Sequence, residues 1–180
     1  MKSRFDDFIE KIPKNIHNNT RTFIGKNIAV FVPDAYVFDK PMISKDYHFV
    51  IFHSKPPYAI IDKKEHQFKS GTLFCMPPGT EITVKPTRNK SQDKYIAINV
   101  NVDFMEYILA KLAGRLKLNS YVYDNQYSYK TLDLLEFFMQ EFIYLDYPTQ
   151  IMIESIETQI VIQLLRDMDL DPTANKINRT

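Results

Sequence analysis

Gly71-Thr72-Leu73-Phe74-Cys75-Met76-Pro77-Pro78-Gly79 is the stretch on which the fold turns. A short apolar run lies between two glycines, and a run this brief suits a strand better than a helix. Pro77-Pro78-Gly79 reads as a tight turn, with proline presetting one backbone angle and glycine admitting a positive one. The spacing predicts a strand over 72–75 held between two turns. Working outward, the same texture recurs. Runs rich in Val, Ile, Phe or Tyr predict strands over 28–32, 47–53, 58–61, 66–69, 81–85 and 94–102. Asp62-Lys63-Lys64-Glu65 predicts a hairpin. Many short strands between turn signals indicate a barrel or jelly roll.

Past Val102 the period changes from strand to helix. Asp103 followed by Glu106 reads as a capping box for a first helix ending near Gly114. Residues 120–129 read as a connection, and a second helix is predicted from about 130 to 145. A third starts near Pro148, a residue suited to a first helical turn, and runs to about Met168. At 100° per residue its apolar positions cover most of the circumference, while Ser155, Gln159, Gln163 and Arg166 form a narrow polar stripe. Such a helix needs cover on more than one side. Self-association across Ile153, Ile156, Ile160 and Leu164 supplies it by two-fold pairing; full burial within one subunit supplies it equally. These readings divide the chain into an N-terminal arm (1–24), a barrel (25–102), a helical lobe (103–168) and a polar tail (169–180). The class is α+β.

Composition narrows the function. The chain has 180 residues, 44% hydrophobic and 25% charged, with a formal net charge of +1. That length supports a core without disulfide or metal staples. A balanced charge argues against a chain that itself grips nucleic acid, where basic excess supplies most of the affinity. Cys75, the single cysteine, excludes an internal disulfide and a cysteine-cluster metal site, and its apolar surroundings suit inert packing. No signal-peptide-like start and no membrane-length apolar run is evident, so a cytoplasmic location is expected. His17, His48, His53 and His66 are the four histidines. His48 and His53 fall on opposite strand faces, His53 and His66 are able to meet across neighbouring strands, and no two-histidine, one-carboxylate set gathers on one face. Lys85 to Lys94 reads as a solvated loop.

Gly71-x5-Pro77-x-Gly79 resembles the opening of the second cupin motif. In metal-binding cupins a histidine follows three residues past that second glycine and an asparagine four further on; here the positions hold Ile82 and Pro86. The first motif would supply a His-x-His pair and a carboxylate. Residues 41–48 contain no such pair, and the carboxylate position falls near Tyr47. A barrel, a capped helix at once after its last strand, and two more helices closing on Leu164-Leu165-Arg166 resemble the N-terminal sensor and dimerisation domain of AraC/XylS-family transcription regulators. The resemblance implies a cupin-like double-stranded β-helix with a C-terminal helical lobe, no catalytic residues, no metal and no cofactor. It implies a small-molecule effector bound in the barrel by Tyr36, Tyr47, Phe49, Ile51, Ile82 and Val84. It implies a homodimer through the C-terminal helices, and DNA contact only through a helix-turn-helix domain absent from this chain. In the last strand Ile96, Ile98, Val100 and Val102 alternate with Ala97, Asn99 and Asn101, and the apolar set is expected to be the buried one. Two other classes stay open: a metal-dependent cupin isomerase or dioxygenase, and a dimerisation module whose barrel is filled.

Overall fold

The computed structural model describes residues 4–33, 38–54, 56–85, 95–113, 122–143 and 149–168. Gly71 and Gly79 both have positive φ, at 76° and 84°. A Cβ at either would touch nothing, so the backbone angle alone calls for glycine there. Their N–H groups donate to the carbonyls of Phe52 (2.8 Å) and Ser44 (2.9 Å), tying both turns to the segment 44–52. The run between them is β7 (Thr72–Met76), buried throughout.

β7 lies inside a six-stranded sheet with β1 (Arg21–Ile24), β2 (Ile28–Val32), β4 (Tyr47–Phe52), β9 (Tyr95–Val100) and β10 (Val122–Gln126). Its order is β1-β2-β9-β4-β7-β10, and a four-stranded sheet has the order β3-β8-β5-β6. The latter comprises β3 (Phe38–Ile43), β5 (Tyr58–Ile61), β6 (Lys64–Gln67) and β8 (Glu81–Lys85). Every pairing is antiparallel. The two sheets face each other across a shared core, giving the cupin-like jelly roll.

Three strands differ from the sequence expectation. β1 falls within the expected arm. β3 carries Pro41, a residue that cannot donate to a ladder, and its register with β8 jumps between Phe38 and Met42. β10 lies where a connection was expected and pairs with β7 from within the helical half. The hairpin is tighter than Asp62–Glu65: Asp62 and Lys63 alone form the turn, at φ 45° and 67°, and Ile61 faces Lys64. Positive φ at both central residues marks a turn whose twist matches the strands.

The helices are α1 (Asp6–Ile9), α2 (Lys14–His17), α3 (Val102–Ala113), α4 (Tyr129–Ile143) and α5 (Gln150–Asp167). α3 is capped by Asn101, whose Oδ1 accepts from the N–H groups of Asp103 (2.8 Å) and Phe104 (3.2 Å). The cap assigned to Asp103 therefore belongs two residues earlier.

α5 is the centre of the helical layer. Ile153, Ile156, Ile160 and Leu164 are 4%, 7%, 0% and 0% exposed, in one core with Phe49 and Ile98 of the sheet and Met105 and Phe138 of the other helices. These four, expected to pair across a dimer, are buried within the chain itself. The six-stranded sheet, α3 and α4 already cover them, which is why α5 is apolar nearly all round. Two carboxylates fasten α5, one near its middle and one at its C-terminal end. Glu157, wholly buried, accepts through Oε1 from the N–H groups of Asn27 (2.9 Å) and Ile28 (3.3 Å) and through Oε2 from Asn27 Nδ2 (2.7 Å). Gly25 makes room for it: a Cβ there would stand 2.2 Å from Glu157 Oε1. Asp167 Oδ2 accepts from the backbone and hydroxyl of Ser128 (2.9 and 3.2 Å) and from Thr131 Oγ1, at the start of α4. Gln163, expected on the solvent stripe, is buried and donates to Asp167 Oδ1 at 2.9 Å.

Candidate functional site

A strand sends alternate side chains to opposite faces, and in β4 that alternation decides the site. Tyr47, Phe49 and Ile51 belong to the core shared with the helices. Val50 and Phe52 belong to the core between the sheets, and His48 lines the cavity on that side. The expectation that Tyr47, Phe49 and Ile51 face the barrel interior is thus reversed. Both faces of β4 are buried, so its apolar content carried no mark of which was inner. β9 behaves alike: Ile98 and Val100 pack on the helices and Ala97 on the interior, so both of its faces are buried.

Ile82 and Val84 do line the interior, together with His48, Phe52, Phe74 and Tyr95. Tyr36 lies outside the described residues. The enclosed space is about 30 Å³, enough for a water molecule and little else. Aromatic rings take up the rest: Phe68 lies 4.8 Å from Phe52 and 4.7 Å from Phe74 between ring centres. The arm adds Phe5, Phe8, Ile12 and Ile16, all buried in the same core. Burying each such side chain contributes about 1.5–3 kcal/mol, so the arm is an integral cover of the barrel. Its apolar residues at 5, 8, 12 and 16 have helical spacing, a signal legible in the sequence.

One polar pair sits in this interior. His48 Nδ1 is hydrogen-bonded to Asn99 Oδ1, across the β4–β9 register that sets the two opposite each other. Since that oxygen only accepts, His48 donates through Nδ1. Burial draws its pKa down to about 4, against a smaller upward pull from Asn99, so the imidazole is neutral near pH 7. Phe8 of the arm lies 5.3 Å from the His48 ring. The Nδ2 of Asn99 is buried with no hydrogen-bond partner among the described residues. His53 is elsewhere, with Nδ1 3.2 Å from Tyr127 Oη, and His66 is on β6 opposite Ala59 in the other sheet.

Among the described residues, no three His, Cys, Asp or Glu side chains are grouped to hold a metal ion. The position of the second-motif histidine is Ile82, and hydrocarbon does not coordinate a cation. Cys75 faces the helical core, and burial raises its pKa, keeping the thiol protonated. Among the described residues no helix is long and apolar enough to cross a membrane. Of the stretch read as a solvated loop, Lys85 to Lys94, residues 86–94 lie outside the described residues.

The fold so defined is a cupin-like double-stranded β-helix with a helical layer on one sheet. Among solved structures, the chain is similar to the AraC-like transcriptional activator CuxR, with TM-score 0.50 and 12% identity over 83% of this chain and 55% of that one. The chain thus spans about half of that activator's length. It is also similar to a cupin protein from Bacteroides fragilis (TM-score 0.37, 13% identity, 52% of this chain and 73% of that one). An RmlC-like cupin from Methanocaldococcus jannaschii, with a double-stranded β-helix fold, gives TM-score 0.36 and 9% identity over 49% and 84% of the two chains. No family profile and no curated protein matches the sequence.

Proposed function

We propose that this chain is the effector-sensing and dimerising part of an AraC-type transcription regulator, and not an enzyme. The observation that carries the reading is the build of the six-stranded sheet. One face closes a barrel whose metal-ligand position holds Ile82, from the four-stranded sheet; the other carries a helical layer pinned to it by the buried carboxylate of Glu157. The likeness to an AraC-like activator over 83% of the chain supports this, because an alignment that long includes helices as well as barrel. DNA would be contacted through a separate helix-turn-helix domain.

The mechanism is population shift. A small molecule that favours one arrangement of arm and barrel changes how attached domains are held, by its difference in affinity for the two arrangements. Because the interior holds only about 30 Å³, the effector acts where the arm meets the barrel or by displacing arm residues. The dimer seam lies on the outer surface of the helical layer, where Phe137 on α4 and Ile151 and Met152 on α5 are 59%, 81% and 50% exposed.

The test is to place the chain ahead of a DNA-binding domain that occupies its operator only as a dimer. Repression of a reporter is expected, and Phe137→Glu should abolish it without unfolding the chain. A monomer in light scattering, or a stoichiometric transition metal in the purified protein with turnover of a substrate, would defeat the reading.

A further inference from the structure

We propose that the cleft between the N-terminal arm and β3 binds a small organic anion, a carboxylate or phosphate monoester on a short apolar body. The inference rests on the sensor reading and names its ligand class.

The cleft has a volume of about 450 Å³, within the range of small-molecule sites and far larger than the barrel cavity. Its existence follows from the sequence of β3. Phe38 faces Val84 and Met42 faces Ile82, so the register slips between them. β3 is an edge strand, and Pro41 falls within the slip. Irregular pairing at a sheet edge is where strands bend to shape neighbouring sites.

Its charge is one-sided. Lys11, Lys14 and Lys40 line it against one acid, Glu10, in a chain whose net charge is only +1. Lys11 is committed, donating to the Ile43 carbonyl at 2.9 Å and so fastening the arm across one side of the cleft. The exposed ammonium groups of Lys14 and Lys40 have no ion pair among the described residues. One comes from the arm and the other from β3. An anion between them would join the two pieces, the kind of contact that favours a closed arrangement over an open one. Apolar groups share the lining: Ile12 and Met42, 7% and 4% exposed, with Pro13 and Pro41.

Met42 gives the cleft its route inward. It lines both the cleft and the barrel cavity, as a single flexible thioether between them. Methionine adapts its shape readily, so an apolar body pressed on Met42 from outside reaches the interior beside His48 through one side chain.

The test uses the full chain with octanoate, octyl phosphate and octanol, by calorimetry and thermal shift at low salt. Octanoate or octyl phosphate should bind and raise Tm while octanol does not, and which anion binds tells the two headgroups apart. The double variant K14Q/K40Q should keep its unliganded Tm, since both side chains are exposed, and lose at least tenfold in affinity. Equal binding of octanol, or unchanged affinity in the double variant, would overturn the cleft while leaving the sensor reading in place. Silence with both anions would also overturn it. Binding that depends on both lysines but leaves the dimer-dependent reporter unmoved would uphold the cleft and count against the sensor.

Discussion

The six-stranded sheet is packed on both faces, and the two are filled with different materials. Toward the helices it presents Ile28, Val30, Phe49, Ile51, Ile98 and Val100 to a layer of leucine and isoleucine. Toward the second sheet it presents small and adaptable residues, Ala29, Ala97 and Met76, with aromatic rings between them. The helix side includes a buried carboxylate satisfied by three donors. The barrel side includes a neutral histidine on an asparagine that keeps one unmatched donor group, a small void and a cover made from the chain's own N-terminal arm. Close-packed layers transmit displacement, whereas voids and flexible side chains absorb it. Under the proposed sensing role, output belongs to the helix side and response to the barrel side.

The comparison breaks most sharply at Glu157. Glu157→Ala strands the buried N–H of Ile28 and the part-buried N–H and side-chain amide of Asn27. At roughly 1–3 kcal/mol for each stranded donor, the loss is on the order of 4 kcal/mol. Gly25→Ala should be comparably harmful by the opposite route, because its Cβ would drive into the same carboxylate. Urea melts of both variants measure this. If Glu157→Ala melts like the parent, α5 is not pinned to the sheet and the division into output and response layers loses its basis.

Glu157 also shows how far the sequence could be read. The barrel was legible because glycine and proline punctuate its strands, and the helices because their period changes after Val102. Which face of β4 is inner was not legible: Tyr47, Phe49 and Ile51 alternate with His48, Val50 and Phe52, and both sets are buried. Likewise the apolar circumference of α5 registers burial on several sides without saying whether the same chain or a second copy supplies it. Glu157 falls among Ile153, Ile156, Ile160 and Val161 on the apolar side of α5. A lone carboxylate in that position is a readable sign of a buried acceptor, and the Gly25-Lys26-Asn27 turn is its donor. β10 left no such sign, since its pairing with β7 is long-range and its residues, Val122–Gln126, are mostly polar.

On the barrel side the corresponding probe is pH. His48 has an ordinary pKa of 6.5, drawn down to about 4 in the fold chiefly by burial. Between those values the unfolded chain binds a proton that the folded chain does not. Stability is therefore present above pH 6.5 and declines as pH falls toward 4, by on the order of 3 kcal/mol across the window. His48→Gln keeps a donor for Asn99 and removes the titration. Melts at pH 7, 5.5 and 4.5 should show a shallower decline in the variant than in the parent. Equal slopes would mean that the imidazole is not held neutral in the interior.

The finest probe is a matched pair, Ile160→Val against Ile82→Val. Each removes one methyl-sized group, one from each face, and such a change costs about 0.5–1.5 kcal/mol depending on how far the surroundings close over the gap. Ile160 is wholly buried among rigid neighbours on α5 and the sheet. Ile82 stands opposite Met42, beside a void, under a cover that can settle. The helix-side variant should therefore fall near the upper end of that range and the barrel-side variant near the lower, a gap of about 0.5 kcal/mol that duplicate urea melts resolve. Equal costs would mean that the barrel interior is as stiff as the helical core. An effector would then have to displace the arm outright, because the wall beneath it would not yield.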